Sequence, residues 1–278
     1  MLHMDGRLII SGQQGLSEYL GCRWSGILPF EGADVMCAGR DALFCAARDG
    51  LIWRLNSRTL TPEALFFGGP RIRGMCLSKD GKRLYVLCGD ADSVLMCCAR
   101  SGQPLLINRA GVNPQSIALD ECGETIIVAG GECAKTLVYR ADTLTLVQAL
   151  PMPGAVMAAA AHHGAVYSLC MDEQLSSLFV TEAGGVRSIL TIPGYPGGIF
   201  IEKDCLCVSV CGEIIRISQD GGTIRACSPA PGTAKRMIRC GGSLWVLDRE
   251  SQRLYTACSQ GFMPMNSDVC DAVCIKTD

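Results

Sequence analysis

Short apolar strings recur along the chain, and each is bounded by glycine, aspartate or proline. Examples are 84–88 (LYVLC) and 166–170 (VYSLC), while Cys205–Val210 alternates small and branched apolar residues. Runs of this length with such boundaries are typical of β-strands, whereas no segment keeps the apolar period of an amphipathic helix. The pattern predicts an all-β protein in which helix is nearly absent.

The strings are organised as a repeat of about 40 residues, the length of a four-stranded propeller blade. Each repeat contains an inner strand, a short turn, a second strand, a polar loop, a third strand, another turn and a fourth strand. A glycine precedes the second strand at Gly81, Gly123, Gly164 and Gly242. Proline–glycine punctuation breaks the chain between repeats. It occurs at 69–70, 113–114, 153–154, 195–197 and 231–232.

Six repeats are complete, and the seventh is divided between the two ends of the sequence. The complete repeats span about 33–69, 70–111, 112–154, 155–194, 195–232 and 233–266. Residues 272–278, read on into 5–12, imitate the internal segment 74–89. A closed ring gains from such a division, since pairing the first and last strands removes two exposed sheet edges. We therefore predict a single domain, 1–278, forming a seven-bladed β-propeller of four-stranded antiparallel blades, with a composite blade from about 1–32 and 267–278.

Two segments carry a resemblance to a known repeat family. Residues 113–120 (NPQSIALD) followed by 123–129 (GETIIVA), and residues 84–96 with a polar turn between two strands, resemble YVTN-type β-propeller repeats. The similarity covers about 70–154 well and other repeats loosely, and the first and composite blades are degenerate. The resemblance implies a WD40-like, seven-bladed propeller. That family includes non-catalytic binding proteins, lactonase-like hydrolases and relatives of amine-dehydrogenase subunits, and its motif does not choose among them.

Composition excludes several classes of function. The chain has 25 Lys and Arg against 27 Asp and Glu, spread without runs, so it lacks the basic patch that a nucleic-acid interface needs. The longest small apolar run, 155–161, is far short of the roughly 20 residues that cross a bilayer. Residues 1–7 carry charge where a signal peptide would be apolar. We expect a cytoplasmic protein with no membrane association, whose 18 cysteines are reduced and act as small hydrophobes.

Candidate binding residues lie at the predicted starts of the inner strands, which meet at one mouth of the central channel. The predicted ligand-binding residues are Arg71, Arg73, Gln115, Lys235, Arg236, Asp268 and Asp271, and Asp34, Asn113 and Tyr195 occupy similar positions. Cations, carboxylates and amides together suit a small anionic or polyhydroxylated ligand. The alternative is that these loop entrances are polar only because water covers them.

No motif indicates a metal or a cofactor. His162 and His163 are adjacent, and neighbouring residues on a strand point apart, so we expect a solvated turn and no shared metal. No Cys-x-x-Cys pair occurs among the cysteines. Pairs of glycines occur at 68–69, 130–131, 184–185, 221–222 and 241–242. No predicted helix follows any of them, so they are predicted to be hairpin turns, not phosphate loops.

Two functional hypotheses follow. The first is a non-catalytic scaffold that binds a protein partner or a small polar ligand at one mouth of the channel. The second, which the resemblance allows, is a lactonase-like hydrolase that acts on a sugar-derived lactone. Its base would be a carboxylate or a histidine, and arginine would anchor an anionic group. No catalytic residue can be assigned to it from the sequence.

Overall fold

The computed structural model describes residues 6–13, 15–20, 23–28, 32–183, 185–202, 205–218, 224–229, 232–240, 242–258, 261–266 and 268–276. These residues form 28 β-strands and no helix. The strands make seven four-stranded antiparallel sheets. The all-β, seven-bladed prediction is therefore confirmed.

The composite blade and the first three complete blades are as follows. The composite blade begins with β1 (Gly6–Gly12), β2 (Gly15–Leu20) and β3 (Arg23–Leu28). Blade 1 contains β4 (Val35–Ala38), β5 (Ala42–Ala46), β6 (Leu51–Asn56) and β7 (Pro62–Phe67). Blade 2 contains β8 (Ile72–Leu77), β9 (Arg83–Cys88), β10 (Ser93–Cys98) and β11 (Pro104–Arg109). Blade 3 contains β12 (Ser116–Leu119), β13 (Thr125–Ala129), β14 (Lys135–Arg140) and β15 (Leu146–Pro151).

The remaining blades continue in the same order around the ring. Blade 4 contains β16 (Ala155–His162), β17 (Ala165–Asp172), β18 (Leu175–Glu182) and β19 (Gly185–Pro193). Blade 5 contains β20 (Pro196–Glu202), β21 (Cys205–Val210), β22 (Glu213–Ser218) and β23 (Ile224–Pro229). Blade 6 contains β24 (Ala234–Cys240), β25 (Ser243–Asp248), β26 (Leu254–Cys258) and β27 (Gly261–Asn266). The last strand, β28 (Val269–Lys276), is the inner strand of the composite blade.

The ring closes through this last strand, as the sequence predicts. β28 pairs with β1 in antiparallel register, from Gly6 opposite Lys276 to Gly12 opposite Val269. The inner strand of each blade contacts the inner strand of the next, and β28 contacts both β24 and β4. The first and last described strands therefore share one sheet, and the inner strands β4, β8, β12, β16, β20, β24 and β28 surround the channel.

The hydrophobic core lies between blades. Tyr85 and Leu87 of blade 2 pack with Ile126 and Val128 of blade 3, and all four are fully buried. The second strand of a blade is covered on both faces by its neighbours, which explains its uninterrupted apolar run. Fourth strands lie at the rim and keep exposed apolar residues such as Ile107.

Two further properties follow from the described residues. Within that part of the chain there is no helix long and apolar enough to cross a membrane. Fifteen cysteines have described side chains, and none of these is in a disulfide. Of these fifteen, only Cys122 and Cys211 are exposed, in keeping with thiols that act as small apolar groups.

Candidate functional site

One mouth of the channel opens into a cavity of about 630 Å³. All seven blades contribute to its wall, because the inner strands all begin at this end. The residues that line it at these strand starts belong to 34–35, 71–75, 115–118, 157–160, 197–200, 234–237 and 269–271. A propeller thus brings together residues that are far apart in sequence.

β-Bulges aim several of these residues into the cavity. On β8 the register passes from Ile72 to Gly74 and leaves Arg73 unpaired, and on β24 it passes from Ala234 to Arg236 and leaves Lys235 unpaired. Inner strands β16, β20 and β28 show the same irregularity near their starts. An extra residue in one strand turns its side chain away from the regular alternation.

The structure places most of the predicted ligand-binding residues in this one cavity. Arg71, Arg73, Gln115, Lys235, Arg236 and Asp271 line it, together with Asp34. Asp268, Asn113 and Tyr195 are not among the lining residues. Asp268 lies directly before β28 with a positive φ of 58° and is exposed. The starts of the inner strands therefore line one cavity, and contact of these residues with a ligand stays a prediction.

Asp271 and Arg236 hold the ring together at this mouth. Asp271 is only 2% exposed, and its carboxylate accepts hydrogen bonds from the Met36 amide at 2.5 Å and the Ala272 amide at 2.9 Å. Nη1 of Arg236 lies 3.0 Å from the same carboxylate and donates to the carbonyls of Met36 and Ala272, both at 2.9 Å. These contacts join blade 6, the composite blade and blade 1.

Lys235 has a similar bridging role. Its Nζ donates to the carbonyl oxygen of Asp34 at 3.0 Å and to that of Cys270 at 2.5 Å. The Asp34 carboxylate accepts from Nε of Arg48 at 3.0 Å. Both charged groups therefore have protein partners.

Arg73 differs because its guanidinium is incompletely satisfied. Nη2 donates to Oδ1 of Asn113 at 3.1 Å, but Nε is buried and has no partner among the described residues. Burial lowers the pKa of Arg73, and the positive charge of Arg71 lowers it further. Its side chain crosses Gly89, where a Cβ would lie 3.0 Å from both Cγ and Nε of Arg73. The cation is thus held in place without a carboxylate partner of its own.

The loop between β25 and β26 adds residues that the sequence analysis missed. Arg249 and Gln252 of this loop line the cavity, together with Asp248 at the end of β25. The Arg249 side chain is solvent-accessible and makes no hydrogen bond with the described residues. Protein surrounds it closely enough that desolvation lowers its pKa, with Glu250 acting in the opposite direction. The charged stretch 248–253 was a usable signal, since this loop lies at the same end as the inner-strand starts.

Charged and apolar residues are distributed unevenly around the cavity. Its lining includes five cations, Arg71, Arg73, Lys235, Arg236 and Arg249, and three carboxylates, Asp34, Asp248 and Asp271. Arg249 of blade 6 also lowers the pKa of Arg73 in blade 2, so these cations act on each other across the mouth. The walls from blades 4 and 5 are lined instead by Met157–Ala160 and Gly197–Phe200. One side is cationic and the other is apolar.

A second cluster lies at the opposite face of the ring, where β12 and β16 end. Nδ1 of His162 and Nδ1 of His163 each lie 3.0 Å from an oxygen of the Glu121 carboxylate. The expectation that the two imidazoles point apart is wrong, because their ring centroids are 3.9 Å apart. His163 and Gly164 both have positive φ, 50° and 77°, as in a type I′ hairpin turn, so strand alternation ends at His162.

Comparisons with known proteins support the fold. No protein-family model matches the chain, and no curated protein matches it. Hydrazine synthase of Kuenenia stuttgartiensis is similar in structure, with a TM-score of 0.69, 15% identity and coverage of 81% of this chain and 76% of that chain. Dihydro-heme d1 dehydrogenase NirN in complex with DHE gives a TM-score of 0.61 and 17% identity, covering 82% and 53%. A chain of the mitotic checkpoint complex gives 0.61 and 16%, covering 73% and 68%.

These similarities show the fold alone, and the protein is a seven-bladed β-propeller. The similar structures include two named as enzymes and one named as a checkpoint complex, so the fold does not select a function. The resemblance to YVTN-type repeats is supported by no family model and stays a prediction. Function has to be inferred from the cavity itself.

Proposed function

We propose that this propeller is a non-catalytic binding protein whose cavity holds a small organic anion, such as a carboxylate or phosphate ester with an apolar portion. The observation that carries the proposal is the pair of cations Arg73 and Arg249. Both face one cavity, and neither has a carboxylate partner among the described residues. Guanidinium groups bind carboxylate and phosphate oxygens through paired hydrogen bonds.

The state of the other charged groups supports an anionic ligand. Asp271 already accepts three protein donors, and Asp34 is paired with Arg48. Oδ2 of Asp248 accepts from the Ser251 amide at 2.8 Å, and Oδ1 is buried without a partner among the described residues. Asp271 and Asp34 are thus occupied by protein donors, whereas Arg73 and Arg249 retain donors for a ligand. A bound anion would also relieve the repulsion between these two cations.

The apolar side of the cavity defines the rest of the ligand. Met157–Ala160 and Gly197–Phe200 form an apolar part of the cavity wall. Gln115 also lines the cavity. Its Nε2 donates to the carbonyl of Asn113 at 2.6 Å, and its amide oxygen is the acceptor that it offers to a ligand. A ligand with an anionic end and a neutral or apolar end therefore fits a cavity with one cationic side and one apolar side.

A thermal-shift screen followed by calorimetric titration tests the proposal. The panel contains citrate, sugar phosphates, an aliphatic monocarboxylate, sugar lactones and uncharged sugars. A ligand at a hundredfold excess over its dissociation constant adds about 2.7 kcal/mol of stability. For a chain of this size that is a rise of about 5–10 °C in melting temperature. We expect anionic ligands alone to give such a shift, and higher salt to reduce it.

Variants assign the shift to the cavity. Losing a charge-assisted hydrogen bond costs about 1.5–3 kcal/mol, so Arg73→Gln and Arg249→Gln are expected to weaken binding about 10- to 100-fold. Arg253→Gln is the matched control, because Arg253 is exposed in the same loop as Arg249 and does not line the cavity. Equal affinity in all three variants would refute the proposal.

The two other hypotheses have distinct outcomes in the same experiments. Release of acid from a sugar lactone by the wild-type protein would contradict the non-catalytic part of the proposal and favour a lactonase-like hydrolase. If no anion on the panel binds, the small-ligand proposal is wrong, and a protein partner becomes the better hypothesis for this mouth of the ring.

A further inference from the structure

The cluster on the face opposite the cavity has the donor atoms of a metal site. It contains Glu121, His162 and His163, whose donor atoms all lie within 4.8 Å of one another. Glu121 comes from the turn between β12 and β13, His162 is the last residue of β16, and His163 lies in the turn between β16 and β17. The cluster therefore joins blades 3 and 4, far along the inner strands from Arg73 and the proposed anion site.

Burial decides which atoms can bind. His162 is only 9% exposed, and its Nε2 is buried without a partner among the described residues, so Nδ1 is the nitrogen that faces the cluster. His163 and Glu121 are exposed. One ligand is thus fixed by the core, while the other two leave an entry path from solvent.

Backbone contacts hold the three ligand side chains in position in the metal-free protein. The amide of His163 donates to Oε1 of Glu121 at 2.9 Å, which holds the carboxylate beneath both imidazoles. The positive φ of His163 brings its ring back to the side of His162. Ligands held in this way lose less conformational freedom on binding.

We propose that Glu121, His162 and His163 bind one divalent transition metal, best matched to Zn²⁺, with a fourth position open to solvent. Two imidazoles and one carboxylate form a ligand set that zinc uses in open sites, and imidazole favours such metals over Mg²⁺ or Ca²⁺. With metal–ligand distances of about 2.0–2.2 Å, tetrahedral ligands lie about 3.3–3.5 Å apart. The present separations of 3.0 Å between Nδ1 and carboxylate oxygen need only small adjustment. The metal takes the place of the hydrogen on each Nδ1. That proton moves to Nε2 of the same ring, so both imidazoles stay neutral.

Titration with Zn²⁺ alone and the absorption spectrum of bound Co²⁺ test the site. The wild-type protein, freed of metal with a chelator, is expected to bind one Zn²⁺ at this site, and Co²⁺ bound there is expected to show nitrogen and oxygen ligation without thiolate bands. His163→Asn removes one ligand at a residue type that tolerates positive φ. Glu121→Gln removes the carboxylate charge at an exposed position. Each is expected to weaken Zn²⁺ binding at least tenfold, with the metal-free melting temperature close to that of the wild type.

Thiols are the main competing ligands, so the control variant concerns the nearest exposed one. Cys122 is exposed and follows Glu121 directly. Cys122→Ser is expected to bind Zn²⁺ as the wild type does. The proposal is overturned if the wild type binds no Zn²⁺, if His163→Asn and Glu121→Gln bind it with unchanged affinity, or if only Cys122→Ser loses it. None of these results bears on Arg73 and Arg249, so the two sites are tested separately.

Discussion

Replacement of Asp271 by alanine tests whether this carboxylate is a structural fastener at the ring closure. Its side chain is buried and accepts from the Met36 amide, the Ala272 amide and Arg236. Met36 itself is fully buried, so its amide would be left without this acceptor and without easy access to water. One unsatisfied buried amide costs about 1–3 kcal/mol.

The ion pair adds a smaller amount to this cost. Removing one partner of a fully buried pair costs about 3–5 kcal/mol. The Arg236 side chain is 30% exposed and keeps two carbonyl acceptors, so water and backbone still stabilise its charge. We therefore expect Asp271→Ala to lose about 3 kcal/mol in total, toward the lower end of the range for buried pairs. That is a large part of the roughly 5–15 kcal/mol that stabilises a typical protein.

Urea unfolding, monitored by tryptophan fluorescence, measures this loss in the free energy of unfolding. About 3 kcal/mol corresponds to a fall of about 6–12 °C in melting temperature for a chain of this size. Asp90→Ala is the control, because the ion pair of Asp90 with Arg71 is exposed on both sides and such pairs contribute about 0–1 kcal/mol. If Asp271→Ala costs no more than Asp90→Ala, Asp271 is not a structural residue, and it returns to the set of predicted ligand-binding residues.

Three further predictions concern closure and thiols. Deleting 267–278 removes the inner strand of the composite blade and should abolish most of the stability, so an unchanged melting temperature would contradict the closure. Iodoacetamide at pH 8 should modify Cys98 well before Cys97, as mass spectrometry of the peptides would show. Hydrogen bonds with Ser101 lower the pKa of Cys98, whereas burial raises that of Cys97 to about 12, so Cys98 has more thiolate. Denatured protein purified without oxygen should titrate 18 thiols, and several fewer would count against a cytoplasmic location.

Local sequence was sufficient for the strands and their order. Apolar runs such as 84–88 reflect burial between adjacent blades, and the glycine before each second strand reflects the backbone conformation of a turn. Both features recur about every 40 residues, so the sequence shows them directly. The composite blade was also predictable, since its two parts imitate an internal repeat and β28 pairs with β1 as expected. The predicted blade boundaries agree with the sheets of the structure.

Side-chain partners were decided by the tertiary structure. Arg73 and Arg249 lie in blades 2 and 6, and only ring closure and the bulge on β8 bring their charges into one cavity. Asp271 is a carboxylate at an inner-strand start and was therefore predicted to bind a ligand. In the structure its carboxylate already accepts from Met36 of blade 1 and Arg236 of blade 6. His162 and His163 converge because positive φ at the turn overrides strand alternation. Sequence determined the repeating backbone because its causes are local, whereas the sites depend on contacts between distant blades and on single bulges and turns that no repeat pattern encodes.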